Sequence, residues 1–154
     1  MTQVFKTPQR FNLKSKIVNI LMRNGKKTTS EKILQKTAKQ SQKLTTKAFK
    51  KVVQIALVNL TPTFKTNEQV VKKGKRKAIR VVPTFVQGNS FRIATALKLT
   101  KNTIFKSKSS LFFYETFVKE LLSSFLLESK SINVKNELQK QVLTNKRYLS
   151  MFRW

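Results

Sequence analysis

The chain of 154 residues contains no cysteine and no histidine, and its six acidic residues are all glutamates. Without cysteine it has no disulfides, no thiolate zinc site and no cysteine nucleophile. The glutamates are scattered, with no pair in a metal-binding or acid/base motif: Glu31, Glu68, Glu115, Glu120, Glu128 and Glu137. Hydrolases and metal enzymes need groups that titrate near neutrality or coordinate a cation. The sequence therefore predicts no enzyme, no cofactor and no metal site.

Long apolar runs are also missing. The unbroken apolar stretches are short, as at residues 111–114, whereas about 20 apolar residues are needed to span a bilayer. We therefore expect no membrane insertion. With three glycines the chain offers no glycine-rich phosphate loop, and it shows no internal repeat. Its length predicts a single domain.

Positive charge dominates what is present. The chain has 33 Lys and Arg against six Glu, a formal charge of +27 and a pI near 11.0. Like charges repel across a compact body, so a polyanionic partner is expected. Nucleic acid and an anionic membrane face both fit. The corresponding alternatives are a nucleic-acid-binding structural protein, a histone-like compaction protein and a cationic membrane-surface protein.

Apolar periodicity predicts three helices in the first half of the chain. Residues 1–13 are polar and irregular and suggest a basic extended arm, followed by a helical domain over 14–154. The first helix is predicted to begin near Lys14 and to end at Asn24-Gly25. The run Thr28 to Glu31 fits a capping box, which would start a second helix ending near Leu44. The third is predicted over 46–60, before Pro62.

After Pro62 the composition changes to β-favouring residues. Residues 62–86 predict a β-hairpin, and five cations in six residues, 72–77, form its tip. A short polar hairpin is not stable alone, so it is expected to lean on the helices or to protrude toward a partner.

Three further helices are predicted after the hairpin. Asn89 or Ser90 would cap the fourth, which ends near Thr100 before a lysine-rich linker over 101–108. The fifth, over 110–128, carries the longest apolar stripe and is expected to be the most buried. The sixth is predicted over 133–148. The predicted fold class is mainly α, a single domain of about six helices with one protruding β-hairpin between the third and fourth.

The hairpin tip is the sharpest local signal for nucleic acid. Crowded cations are costly unless phosphates surround them, and a narrow finger can enter grooves between RNA helices. The alternative reading is a solvated turn with surface lysines. Lysines elsewhere could widen the phosphate-binding face, although lysine is also a good helix former on exposed surfaces.

Four stretches resemble a known family. Residues 16–31, KIVNILMRNGKKTTSE, resemble the first helix and turn of the universal small-subunit ribosomal protein seven family. Residues 56–63, ALVNLTPT, resemble its third helix running into the hairpin, and Val81-Val82-Pro83 its returning strand. Residues 145–154, NKRYLSMFRW, resemble its closing aromatic-Arg-Trp signature. The order of the stretches is the family's own.

This resemblance implies a structural role in the ribosome. The family binds small-subunit ribosomal RNA of the 3′ major (head) domain, nucleates head assembly, and lies near the messenger exit path and the exit-site transfer RNA. The implied partners also include neighbouring head and platform proteins. The candidate RNA-binding residues are Arg10, Lys14, Lys26, Lys27, Lys72, Lys73, Lys75, Arg76, Lys77, Arg92, Lys98, Arg153 and Trp154. Trp154 could instead pack against the sixth helix.

The chain departs from the family at two places. Adjacent basic residues usually precede the fourth helix, where this chain has Ser90-Phe91 and a basic residue only at Arg92. The early cations of the first hairpin strand are replaced by the run 66–69, TNEQ. The exact RNA contacts there are therefore open.

Abundant Lys, Phe, Ile and Asn, without Cys, His or Asp, indicates a gene under A/T pressure. Organellar genomes often have that bias, and no import segment is visible. The expected location is a mitochondrial ribosome, with a plastid or an A/T-rich bacterium as the alternative.

Overall fold

The computed structural model describes residues 12–73, 76–107 and 110–146. Within these ranges the chain forms six helices and one antiparallel hairpin. The helices are α1 (Leu13–Leu21), α2 (Lys27–Leu44), α3 (Phe49–Leu60), α4 (Asn89–Lys106), α5 (Phe113–Phe125) and α6 (Lys130–Thr144). The strands β1 (Phe64–Lys73) and β2 (Arg76–Phe85) lie between α3 and α4. The predicted fold class is confirmed.

Helix α3 forms the centre of the core. Spacings of three and four bring five of its side chains to one buried stripe: Val52, Val53, Ala56, Leu57 and Leu60. The core extends through residues of α1, α2, α4, α5 and α6, including Val18, Leu34, Leu97, Phe117 and Ile132. Helix α5 contributes four buried residues, so the expectation that it is the most buried helix is wrong. Leu111 and Leu126, predicted on its apolar stripe, lie outside the helix and are exposed.

The turn between α1 and α2 contains two left-handed residues, Asn24 at φ 52° and Gly25 at φ 72°. The predicted left-handed conformation of Gly25 is confirmed, but α1 ends at Leu21, three residues before the predicted end at Asn24-Gly25, and its C-cap is Met22. The predicted capping box is wrong, because α2 begins at Lys27 and Thr28 already has helical backbone. Lys26 is the N-cap and forms no side-chain cap. The Thr29 hydroxyl instead donates to the Lys26 carbonyl at 2.6 Å.

Helix α4 is longer than predicted. Its N-cap is Gly88 at φ 77°, not Asn89 or Ser90, and no side chain caps it. The residues predicted as a linker continue the helix to Lys106. Ile104 explains the extension, since it is buried in the core and anchors the last turns. Lys101 adds a second anchor, since its ammonium donates to the Ile20 carbonyl at 2.7 Å.

A buried polar network joins α5 to α6. The Glu120 carboxylate accepts from the backbone N–H of Ser131 at 2.8 Å and from its hydroxyl. Ser129, the N-cap of α6, accepts from the Ile132 N–H at 3.1 Å, and its hydroxyl is bonded to that of Ser124. This cap starts α6 at Lys130, three residues before the predicted start. The helix ends at Thr144, and its predicted extension to 148 passes beyond the described residues.

The predicted arm lies almost entirely outside the described residues. Of its last two members, Asn12 caps α1 by accepting from the Ser15 N–H, and Leu13 is the first helical residue. The first helix therefore begins at Leu13, one residue before the start predicted near Lys14.

Candidate nucleic-acid interface

The hairpin is a finger with a buried base. Val82, Pro83 and Val86 are buried there, and the rings of Phe64 and Phe85 pack edge to face at 5.7 Å. Helix α6 packs against β1. Farther out, the cross-strand partners Val70 and Ile79 are 60% and 66% exposed. The hairpin thus packs on the helices at its base and protrudes at its end. The sequence had predicted one or the other, and the structure shows both.

The register at the tip sets like charges opposite each other. Lys72 faces Lys77, and Lys73 faces Arg76, in the last two pairs of the ladder. Like charges directly opposite on a sheet destabilise it. The side chains of Lys72 and Lys77 are exposed. An anionic partner could therefore reach them and offset the repulsion between them. Lys75 lies outside the described residues, and the side chains of Lys73 and Arg76 are not described.

A second group of cations surrounds the hairpin base, and we call it the basal cluster: Lys16, Lys65, Arg92 and Lys135. The Lys16 ammonium donates to the Ser90 hydroxyl at 3.0 Å, which joins α1 to the start of α4. The Lys65 ammonium lies 5.4 Å from the centroid of the Phe91 ring, which joins β1 to the same turn of α4. Three elements therefore meet at this face.

Arg92 and Lys135 lie close enough to repel each other. Burial lowers the pKa of Lys135 below its usual value, and the positive charge of Arg92 lowers it further. The Lys135 ammonium donates to the Asn59 carbonyl at 2.6 Å. The Nε–H of Arg92 is buried and has no hydrogen-bond partner. A nearby anion would relieve the repulsion between the two cations.

Sequence reasoning missed Lys65 and Lys135. Lys65 directly precedes the run 66–69, so a cation does stand at the start of the first hairpin strand. Lys135 lies in α6, and only the packing of α6 on β1 and α4 brings it to the hairpin base. The signal for Lys65 was in the sequence, whereas the signal for Lys135 was not.

The remaining predicted residues are spread over the surface. Lys14, Lys26 and Lys27 are exposed at the starts of α1 and α2. Lys98 is exposed on α4. It follows Arg92 by six residues, so the two side chains point about 120° apart around the helix axis. The two therefore do not share a face. Arg10, Arg153 and Trp154 lie outside the described residues.

Cations occupy helix starts where the macrodipole disfavours them. Five of the six described helices have no acid in the first turn, and α5 alone has one, Glu115. The cations in the first four residues of these helices are Lys14, Lys16, Lys27, Lys50, Lys51, Arg92 and Lys130. Both the helix N-termini and these side chains favour an anion nearby.

Several lysines of the helices and of the hairpin base contact groups other than carboxylates. Lys16, Lys101 and Lys135 donate to a hydroxyl or a backbone carbonyl. Lys36, Lys47 and Lys65 lie over aromatic rings. These contacts hold the ammonium groups in place without cancelling their charge.

Two other kinds of site are absent from the part of the chain that the structure describes. No group of three His, Cys, Asp or Glu could hold a metal ion there. None of the described helices has the length and apolarity needed to cross a membrane.

A helical body, a protruding cationic finger and uncompensated charge around its base define a basic protein adapted to a polyanionic partner. The family model described as "Ribosomal protein S7p/S5e" matches residues 2–146. The chain belongs to this family, and it is accordingly a protein of the small ribosomal subunit. A similar protein is the small ribosomal subunit protein uS7c of Tetradesmus obliquus, 27% identical over 132 residues. The match covers 86% of this chain and 76% of that relative.

Proposed function

We propose that the chain is a structural component that binds the ribosomal RNA domain forming the head of the small subunit. The observation that carries the proposal is the hairpin, whose base is buried against α6 while its like-charged tip stands exposed. A phosphate backbone offers the charge that this tip lacks, and grooves between RNA helices fit a narrow finger.

The basal cluster supplies a second contact region in this proposal. Arg92 lies in the first turn of α4, and Lys65 lies over the Phe91 ring beside it. Lys14 and Lys16 lie on the adjoining α1. Lys26, Lys27 and Lys98 extend the phosphate contacts over the helical body. Arg10, Lys75, Arg153 and Trp154 remain proposed contacts from the family resemblance. The proposal assigns no catalytic residue.

The family's position in the ribosome completes the proposal. We infer that the chain helps nucleate head assembly, that its hairpin and carboxyl end lie near the messenger exit path and the exit-site transfer RNA, and that neighbouring head and platform proteins contact it. The similarity to uS7c, a chloroplast form by its name, supports an organellar ribosome. A mitochondrial location remains a prediction from composition, and a plastid remains its alternative.

The experiment measures binding of the purified chain to a head-domain fragment of small-subunit ribosomal RNA over a series of salt concentrations. Duplex DNA of matched length is the competitor. We expect the logarithm of the binding constant to fall steeply with the logarithm of the salt concentration. Each neutralised phosphate adds about 0.7 to 0.9 to the magnitude of this salt slope. We also expect a clear preference for the RNA fragment. Equal affinity for the DNA would contradict the proposal and favour a compaction protein.

A further inference from the structure

Three aromatic rings form a ladder from the surface into the core. Phe105, in the last turn of α4, stacks on Phe113 with centroids 5.4 Å apart and planes at 29°. Phe113 stacks on Phe117 at 5.9 Å and 11°. Phe117 is 1% exposed, whereas Phe105 is 54% exposed. The ladder therefore presents its outermost ring to solvent, supported from beneath by two nearly parallel rings.

A second ring pair stands beside the ladder. Phe112, the N-cap of α5, stacks on Tyr114 at 5.8 Å and 15°, and is 70% exposed. The Lys36 ammonium of α2 lies 5.6 Å from the centroid of Tyr114. Lys106, next to Phe105, is also exposed. The aromatic patch, as we call Phe105, Phe112, Phe113 and Tyr114, thus has two lysines at its edge, together with one carboxylate, that of Glu115, which accepts from the Tyr114 hydroxyl at 3.1 Å.

Such a patch needs a partner to explain it. Single exposed apolar side chains are common, but neighbouring exposed rings indicate a contact surface. Protein interfaces tend to be depleted in lysine at their centres, whereas single-stranded nucleic acid is bound by rings interleaved with cations. Nearly parallel planes also provide the geometry in which a base extends an existing stack. The cations on this patch favour RNA over a protein partner.

We propose that Phe105 and Phe112 stack on unpaired bases of the small-subunit ribosomal RNA, on a surface separate from the hairpin. This inference rests on the proposed function and adds a stacking contact to its phosphate contacts. Lys36 and Lys106 bind the backbone that flanks those bases. Because every base has a π face, the contact is tolerant of sequence.

The test compares the Phe105→Leu, Phe112→Leu double variant with wild type, using small-subunit ribosomal RNA as the probe. Stacking of one base supports roughly fivefold to 150-fold in affinity by alanine substitution. Because the variant removes two such contacts, we expect affinity to fall about 25-fold or more. The salt slope is expected to stay unchanged, because the phosphate-binding cations are all kept. The Phe105→Tyr, Phe112→Tyr variant keeps both rings and is expected to bind like wild type.

The control is Leu143→Ala, a change at a residue of α6 that is 68% exposed and outside the patch. It should leave RNA affinity unchanged. Phe112→Leu alone, at the more exposed ring, should retain the wild-type thermal midpoint and still weaken binding. A loss of affinity in Leu143→Ala as large as that of the double leucine variant would overturn the stacking contact. Wild-type affinity in Phe112→Leu would overturn it as well.

Three further outcomes separate the failure of this inference from the failure of the proposed function. If wild type binds the RNA and the double leucine variant binds equally well, the stacking contact is wrong and the proposed function stands. Unchanged RNA affinity with poorer incorporation into subunits would assign the patch to a protein partner, which also overturns the inference. If wild type shows no preference for ribosomal RNA, the proposed function itself fails.

Discussion

Leu127 adopts a backbone conformation that leucine rarely occupies. Its φ is 67°, and it follows the end of α5 at the position where helices usually have glycine. The Glu128 N–H donates to the Ser123 carbonyl at 2.9 Å, and the Leu127 N–H to the Ser124 carbonyl at 3.3 Å. These two bonds are those of a Schellman motif. The hydrogen bonds and the start of α6 hold the residue left-handed despite its Cβ.

We predict that Leu127→Gly stabilises the free protein. A non-glycine residue in this region costs about 1 to 2 kcal/mol, and glycine costs roughly 0.5 to 1 kcal/mol through chain entropy. The side chain is 62% exposed, so its removal uncovers little apolar surface. The free energy of unfolding in urea should rise by about 0.5 to 1 kcal/mol.

The neighbouring residue provides a matched control for that prediction. Leu126 is 63% exposed and has φ −85°, a right-handed conformation. Leu126→Gly should therefore lower the free energy of unfolding by about 0.5 to 1 kcal/mol. Equal changes in the two variants would mean that the left-handed backbone of Leu127 is not a source of strain.

The hairpin divides into a buried base and an exposed cationic tip. Its base is fixed by buried residues, including Val82 and Val86, and by the Val86 N–H, which donates to the Thr63 carbonyl at 2.9 Å. Its tip has no comparable packing at the exposed residues. Changes at the base should therefore alter folding, whereas changes at the tip should alter binding.

We predict that the Lys72→Ser, Lys77→Ser variant weakens RNA binding without destabilising the fold. The two residues face each other across the strands and are exposed, so their removal relieves repulsion in the free protein. The salt slope should fall by about 0.7 to 0.9 for each phosphate that the variant no longer neutralises. Binding isotherms at several salt concentrations and a thermal melt measure the two effects.

Lys101→Ser is the control, because it removes a cation outside the proposed RNA contacts. Its ammonium is bound to the Ile20 carbonyl at the end of α1. Removing it should lower stability and leave the salt slope unchanged. A tip variant with wild-type affinity and slope would show that the finger does not anchor RNA.

The elements that could be predicted are those fixed by apolar periodicity. The stripe from Val52 to Leu60 predicted α3, and the β-favouring residues around a cationic turn predicted the hairpin. Helix ends were predicted less well, because hydroxyls form alternative local bonds. Thr29 bonds to a carbonyl rather than to a free amide, and Ser90 accepts from Lys16. The extension of α4 depends on tertiary burial of Ile104, which local composition does not reveal.

The candidate site was predictable at the tip and not at the base. Five consecutive or near-consecutive cations identify the tip from the sequence alone. The basal cluster brings together residues from α1, β1, α4 and α6 that are far apart in the chain. Lys135 and Arg92 become neighbours only through the packing of α4 and α6. Long-range packing, not composition, creates that surface.

At the scale of the whole molecule, positive charge is spread over a helical body without matching acids. The formal charge of +27, the cations at helix starts and the opposed lysines of the hairpin all disfavour the isolated chain. Each becomes favourable beside a polyanion. The fold is therefore best understood as one part of a ribonucleoprotein surface, which agrees with its ribosomal family.

The most direct measurement is the stoichiometry of the chain with small-subunit ribosomal RNA in ribosomes purified from its source and separated on a sucrose gradient. The account predicts that the chain sediments with the small subunit in a fixed molar ratio to that RNA and remains bound at physiological salt. A chain that sediments free, or with DNA in no fixed ratio, would contradict it.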